Sequence, residues 1–130
     1  MNDMIEYIGI PFLKDGATRE GLDCWRLVVM VYKDRLNIDL PACSGIFADK
    51  SLASLKRISR LIKETKKQWT EVKKPAPYDV VLLRTSSFHV GLVTGRRTML
   101  HISEEINSTI EEFTSLQWKD KVEGFYHYAG

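Results

Sequence analysis

At 130 residues the chain has room for one domain with a true core, and 44% hydrophobic against 28% charged residues excludes disorder throughout. The formal net charge is +2 but uneven: eight basic residues against two acidic ones lie between Lys56 and Lys74, a surplus typical of the solvent side of a helix. Two cysteines, Cys24 and Cys43, exclude a disulfide scaffold and favour a reduced state, and no apolar run approaches membrane-spanning length.

In chain order, residues 1–10 alternate weakly and predict an edge strand or a short helix, ended by Pro11-Phe12. The stretch from Asp15 to Gly21 is a turn-rich loop. It delivers Asp23, a helix-capping residue, directly to Cys24 and an apolar stripe of Trp25, Leu27, Val28, Val31 and Tyr32, which predicts a helix ending near Lys33 to Leu36. In the first turn of that helix, unpaired amides and the positive end of the helix dipole favour a thiolate at Cys24; the plain alternative is a small core residue.

Pro41 makes Leu40 extended, and Cys43 falls in a loop with no helix start beside it, so it is read as non-catalytic. From Ser51, steps of three and four through Leu52, Leu55, Ile58, Ile62, Thr65 and Trp69 predict a second helix with a lysine-rich outer face. That helix lacks interleaved aromatic rings, which argues against nucleic-acid binding.

After Pro75-Ala76-Pro77 the period becomes strand-like. Strands are predicted at residues 79–84, 88–93 and 97–102, then at 109–113 and 122–128, with a turn at Thr85-Ser86-Ser87 and a hairpin at Thr94-Gly95. Helices in the first half and an antiparallel meander in the second make an α+β fold in one domain, residues 1–130.

A symmetric hairpin about Thr94-Gly95 sets residue 89 beside residue 100. His101 then comes near His89, with a bulge or one-residue slip needed to bring both onto one face. If that face packs on the start of the Cys24 helix, a thiol nucleophile, an imidazole base and an orienting group come together. The competing reading makes both histidines structural, and His127, between two tyrosines, is read as surface. No C-x-x-C, H-x-x-x-H or H-E-x-x-H spacing is present, nor a glycine-rich phosphate loop, so neither a metal nor a nucleotide cofactor is expected.

Gly9-Ile10-Pro11-Phe12, the Gly16 loop, Gly21-Leu22-Asp23-Cys24-Trp25 and His89-Val90-Gly91-Leu92-Val93 together resemble the NlpC/P60 cysteine peptidases of bacterial cell-wall metabolism. Leu40-Pro41 and the ending Val122-Glu123-Gly124-Phe125-Tyr126 resemble most the short branch found in phage tail assembly proteins. The resemblance implies a papain-like α+β fold, Cys24 as nucleophile, His89 as general base and His101 as the residue that orients it. It further implies peptidoglycan stem peptides as substrate, often cut between D-glutamate and a diamino acid, and no metal or organic cofactor. Phe12, Asp23, Arg26 and Ser87 are expected to border the substrate groove, with the loop from Asp15 to Arg19.

Three positions depart from the pattern: Phe12 replaces a tyrosine, Arg26 a small glycine, and Asp15-Gly16 a Gly-Gly pair. The expectation is a protein made in the cytoplasm without a signal peptide, then virion-associated or released to act on the wall, with no membrane insertion. The alternatives are a tail assembly protein with an idle triad, whose partners are tail proteins, and an amidase or acyltransferase on the same fold.

Overall fold

The computed structural model describes residues 4–41, 68–85 and 88–130, with the side chain of Phe88 excepted. The predicted loop around Cys43, nearly all of the predicted helix from Ser51, and Ser86-Ser87 lie outside the described residues. The chain order is a 3-10 turn (Ile5–Tyr7), a two-residue hairpin β1 (Ala17–Thr18) and β2 (Gly21–Leu22), helix α1 (Cys24–Val31), then β3 (Trp69–Val72), β4 (Val80–Arg84), β5 (Phe88–Val93), β6 (Thr98–Ser103), β7 (Ile106–Glu112) and β8 (Val122–Tyr128). Strands β3 to β8 form one antiparallel sheet in the order β3-β8-β4-β5-β6-β7. This is the expected α+β arrangement, an N-terminal helix packed on a C-terminal antiparallel sheet.

Helix α1 starts where it does because Asp23 is extended and its carboxylate accepts the Arg26 amide at 2.8 Å, satisfying one of the orphan donors of the first turn. Its β-branched run is a poor helix former in isolation, so burial has to supply the stability. Leu27, Val28 and Val31 are at most 1% exposed, each contributing roughly 1.5–3 kcal/mol relative to exposure. The helix passes into a wider turn, Tyr32–Leu36, and stops at Asn37, whose left-handed φ of 53° suits an asparagine cap.

The helix lies on one face of the sheet, against Val80, Leu82, Val90, Leu92, Leu100 and Ile102. The opposite face carries a second, smaller core in which Val81, Leu83, Val93 and Met99 meet Phe113 and Trp118. Two buried faces explain why β4 reads as a continuous apolar run rather than an alternating one. Gly91 sits in this second core with little room for a side chain: a Cβ there would lie 3.1 Å from the Met99 sulfur and 3.2 Å from Val81, so both would have to give by a few tenths of an ångström.

Two elements differ from their sequence expectations. Trp69 does not end a helix; it opens β3, opposite Tyr128, with the two rings 5.2 Å apart. An indole that fits the next step of a helical stripe fits a strand equally well, and pairing with β8 decides. The fourth predicted strand, at 109–113, is longer and earlier, because β6 and β7 join through a tight turn with Ser103 opposite Ile106.

Candidate active site

The chain reaches Cys24 along a short, braced path. Gly9 and Ile10 are bonded to Ser108 of β7, the Gly9 amide donating to its carbonyl at 2.8 Å and the Ile10 carbonyl accepting its amide at 2.9 Å. Phe12 then bridges to Leu22 in parallel fashion and is half-buried against the main core. It thus lies beside the strand that feeds Asp23 and Cys24.

Asp23 is buried and ties the loop to the helix, since its second carboxylate oxygen accepts the Asp15 amide at 3.1 Å. Burial pushes the Asp23 carboxyl above its ordinary range, against the two amide hydrogen bonds and the Arg26 cation that lower it. Asp15 takes a left-handed φ of 59°. This explains the departure at that position: aspartate is among the few side chains that tolerate a backbone which otherwise asks for glycine. Arg26, the second departure, is half-buried in the first turn of α1.

Cys24 is 4% exposed. Its sulfur receives amide hydrogen bonds from Val90 and from the helix start at Cys24 and Trp25. These lower its pKa as the sequence suggests, but burial outweighs them and, with the nearby Asp23 charge, pushes the thiol up to about 12. The thiolate expected from helix position alone is therefore corrected to a neutral thiol in this state.

His89 and His101 lie on one face of the sheet, with His89 Nε2 3.0 Å from His101 Nδ1. No bulge between their strands is needed. The pairs Leu92↔Leu100 and Val93↔Met99 set a register three residues away from the symmetric hairpin, and that odd slip puts 89 and 101 on one face as diagonal neighbours. Those two pairs are the whole β5–β6 ladder, so the strands are unpaired toward His89, where the Val90 amide meets the cysteine sulfur.

His101 is 1% exposed, and its Nε2 is bonded to Glu111 Oε2. Trp118 covers the pair: its ring stacks on His89 at 6.2 Å and 25° and meets His101 edge-on at 5.2 Å. Burial and the neighbouring His101 push His89 down to about 3, and burial likewise lowers His101 against the opposing pull of Glu111. The thiol and both imidazoles are accordingly neutral near pH 7.

The histidine pair lies on the sheet face of Leu83, Met99 and Trp118, not on the face that packs against α1, and what joins it to Cys24 is the Val90 amide, next to His89, which reaches the cysteine sulfur. Phe12, Asp23 and Arg26 lie at the helix end, and Ser87 lies outside the described residues. His127, on β8, which β4 separates from β5, is exposed, as expected, yet its Nδ1 is 2.7 Å from the buried Asp79 carboxylate. Glu111 and Trp118 were not singled out by sequence reasoning. Among the described residues no group of three or more His, Cys, Asp and Glu side chains is disposed to hold a metal ion, and no helix is long and apolar enough to cross a membrane.

Residues 9–126 match the NlpC/P60 family. The chain is 27% identical over 133 residues to the gamma-DL-glutamyl hydrolase of Bacillus subtilis, an alignment covering 95% of this chain and 27% of that protein. It is 26% identical over 129 residues to the probable endopeptidase NlpC of Escherichia coli, covering 92% and 70%. The chain therefore spans only about a quarter of the Bacillus protein's length. In fold it is similar to the NlpC/p60 domain of the peptidoglycan hydrolase SagA, with a TM-score of 0.65 at 14% identity over 94% of this chain and 90% of that one. It is also similar to an NlpC/P60 family protein of Bacillus cereus, with a TM-score of 0.68 at 19% identity over 95% and 37%. With a family match over nearly its whole length and this fold, the chain belongs to the NlpC/P60 family of hydrolases and has its papain-like architecture.

Proposed function

We propose that this chain is a cysteine endopeptidase that hydrolyses an amide bond in peptidoglycan stem peptides, with Cys24 as nucleophile, His89 as general base and His101 as the residue that orients it. The single observation that carries this reading is the bond between His89 Nε2 and His101 Nδ1 beside the strand position whose amide reaches the Cys24 sulfur. With Nε2 engaged, Nδ1 is the His89 nitrogen left to accept the thiol proton. The reaction begins from neutral partners: the sulfur attacks the carbonyl as His89 takes its proton. His89 then returns that proton to the departing nitrogen, leaving a thioester that water hydrolyses with His89 again as base.

Phe12 has no hydroxyl to offer the oxyanion, so backbone amides at the start of α1 are the donors in this proposal. The name of the Bacillus relative, a gamma-DL-glutamyl hydrolase, supports a gamma-glutamyl bond as the one cut. The proposal takes residues 1–130 as one domain. The sequence resemblance to tail-associated members further supports a setting in a phage or prophage tail, with delivery to the wall by the virion.

The test is digestion of purified peptidoglycan of several stem-peptide types, with the released fragments weighed by mass spectrometry beside Cys24→Ala. Fragments ending in D-glutamate from the wild type alone are the expected result. A different cleaved bond would move the assignment to an amidase, and identical fragments from Cys24→Ala would remove the thiol mechanism.

One observation favours a second reading, an assembly component whose site is unused: Cys24 is 4% exposed and its thiol is held neutral. That reading expects no fragments from any wall type, together with alkylation of Cys24 no faster than that of an ordinary buried thiol.

A further inference from the structure

A histidine is a poor orienting group by itself. A neutral imidazole has one N–H and one lone pair, and nothing in a His–His pair says which ring donates to the other. An acid such as aspartate, by contrast, can only accept when ionised, so it fixes the tautomer of the ring it touches. We infer that Glu111 supplies this missing direction: it is a positioning residue whose carboxylate sets the hydrogen-bond polarity of the His101–His89 pair and so keeps the lone pair of His89 on Nδ1. The inference rests on the peptidase reading above and names a residue that reading does not use.

The polarity follows step by step. Glu111 Oε2 accepts, so His101 Nε2 carries its proton and donates. His101 Nδ1 is then a lone pair and accepts from His89 Nε2 at 3.0 Å. His89 Nδ1 is thereby unprotonated, which is the only state in which it can take a proton from the thiol. Without the carboxylate, His101 can donate through Nδ1 instead, and His89 then carries its proton on Nδ1 and is no base toward the thiol.

The fold shows how Glu111 gets there. The turn pair Ser103↔Ile106, continued without interruption, would put Glu111 on the face opposite His101. The ladder instead shifts by one residue between His101 and Ser103, giving His101↔Thr109 and Met99↔Glu111, so Glu111 becomes a same-face diagonal neighbour of His101. Ser108, at this irregularity, is the residue bonded to Gly9 and Ile10. The segment that leads to the cysteine loop therefore also braces the bulge that brings the carboxylate to the histidines. The Trp118 ring that covers the two histidines is itself met by a cation, Lys121 Nζ, 5.3 Å from the ring centre.

The test compares wild type, Glu111→Ala and Glu111→Gln, labelled with nitrogen-15 in the imidazoles. Chemical shifts then report which ring nitrogen is protonated in each histidine, without any substrate. Glu111 is 31% exposed on its side chain and lies on the sheet's edge strand, so both variants are expected to fold. The wild type is expected to show Nε2–H and bare Nδ1 in both rings. In Glu111→Ala that pattern becomes a mixture, and kcat on stem peptides falls on the order of 100-fold, at the low end of what a general base contributes, with KM little changed. Glu111→Gln, which keeps an acceptor oxygen, recovers most of the tautomer order and part of the rate. Tautomers in Glu111→Ala identical to those of the wild type would overturn the inference, as would an undiminished kcat. Expected tautomers in a wild type that cleaves no peptidoglycan would instead refute the peptidase reading and leave the polarity result standing.

Discussion

Burial disfavours the charged forms of both His89 and Cys24, so the fold is expected to lose stability at both ends of the pH scale. Replacing each residue in turn isolates its share. For His89 the folded value of about 3 lies below the ordinary 6.5. As the pH drops below 6.5 the unfolded chain takes up a proton that the folded chain refuses until about pH 3. Its contribution is therefore intact above 6.5 and lost toward 3. At about 1.4 kcal/mol per pH unit, going from pH 7 to pH 4 removes about 3 kcal/mol, a large part of the roughly 5–15 kcal/mol that holds a domain together.

Cys24 acts in the other direction. Its folded value of about 12 exceeds the ordinary 9.0, so the unfolded chain ionises first and stability falls as the pH rises from 9 toward 12. The assay is urea unfolding across this pH range for wild type, His89→Gln and Cys24→Ala, because groups common to all three cancel in the differences. The wild type minus His89→Gln difference is expected to shrink by about 3 kcal/mol between pH 7 and 4 and to stay flat from 6.5 to 9. Parallel curves for the two proteins over the acid range would refute the argument that burial keeps this imidazole neutral.

Asp23→Ala removes the helix cap and the acceptor for the Asp15 amide together. It is expected to cost about 1–2 kcal/mol in denaturant unfolding, whereas Asp23→Asn, which can still cap, should stay close to wild type. Trp118→Ala opens a space over the two histidines. A loss of about 3 kcal/mol or more is expected, and titration followed by NMR should show the His89 pKa climbing back toward 6.5 as water enters. Gly91→Ala drives a methyl group against Met99 and Val81; about 1–3 kcal/mol of destabilisation is expected from overpacking, read as a lower urea midpoint with an unchanged slope.

Much of the scaffold is legible in the sequence because its signals are local. Asp23 before an apolar stripe predicts where α1 starts, and the change from helical to alternating spacing after Pro77 predicts the sheet. The site is harder to read because it depends on register. His89 and His101 share a face for a reason that the Thr94-Gly95 turn hides: the connection is longer than two residues, as Val93 opposite Met99 requires. Glu111 is hidden more deeply, since a one-residue shift decides its face and such shifts leave little trace in composition. Trp118 sits in an irregular stretch whose side chain is positioned only by the sheet it covers. The Cys24 thiol illustrates a different gap: position in a helix predicts the sign of the dipole, but burial, a tertiary property, determines the larger effect.

The most direct test of the central claim is hydrolysis of a defined stem peptide in heavy-oxygen water, wild type beside Cys24→Ala, with the product carboxylate weighed by mass spectrometry. The account expects heavy oxygen in the new carboxylate from the wild type and none above the blank from Cys24→Ala. Equal labelling from the two proteins would contradict a thiol-dependent hydrolase.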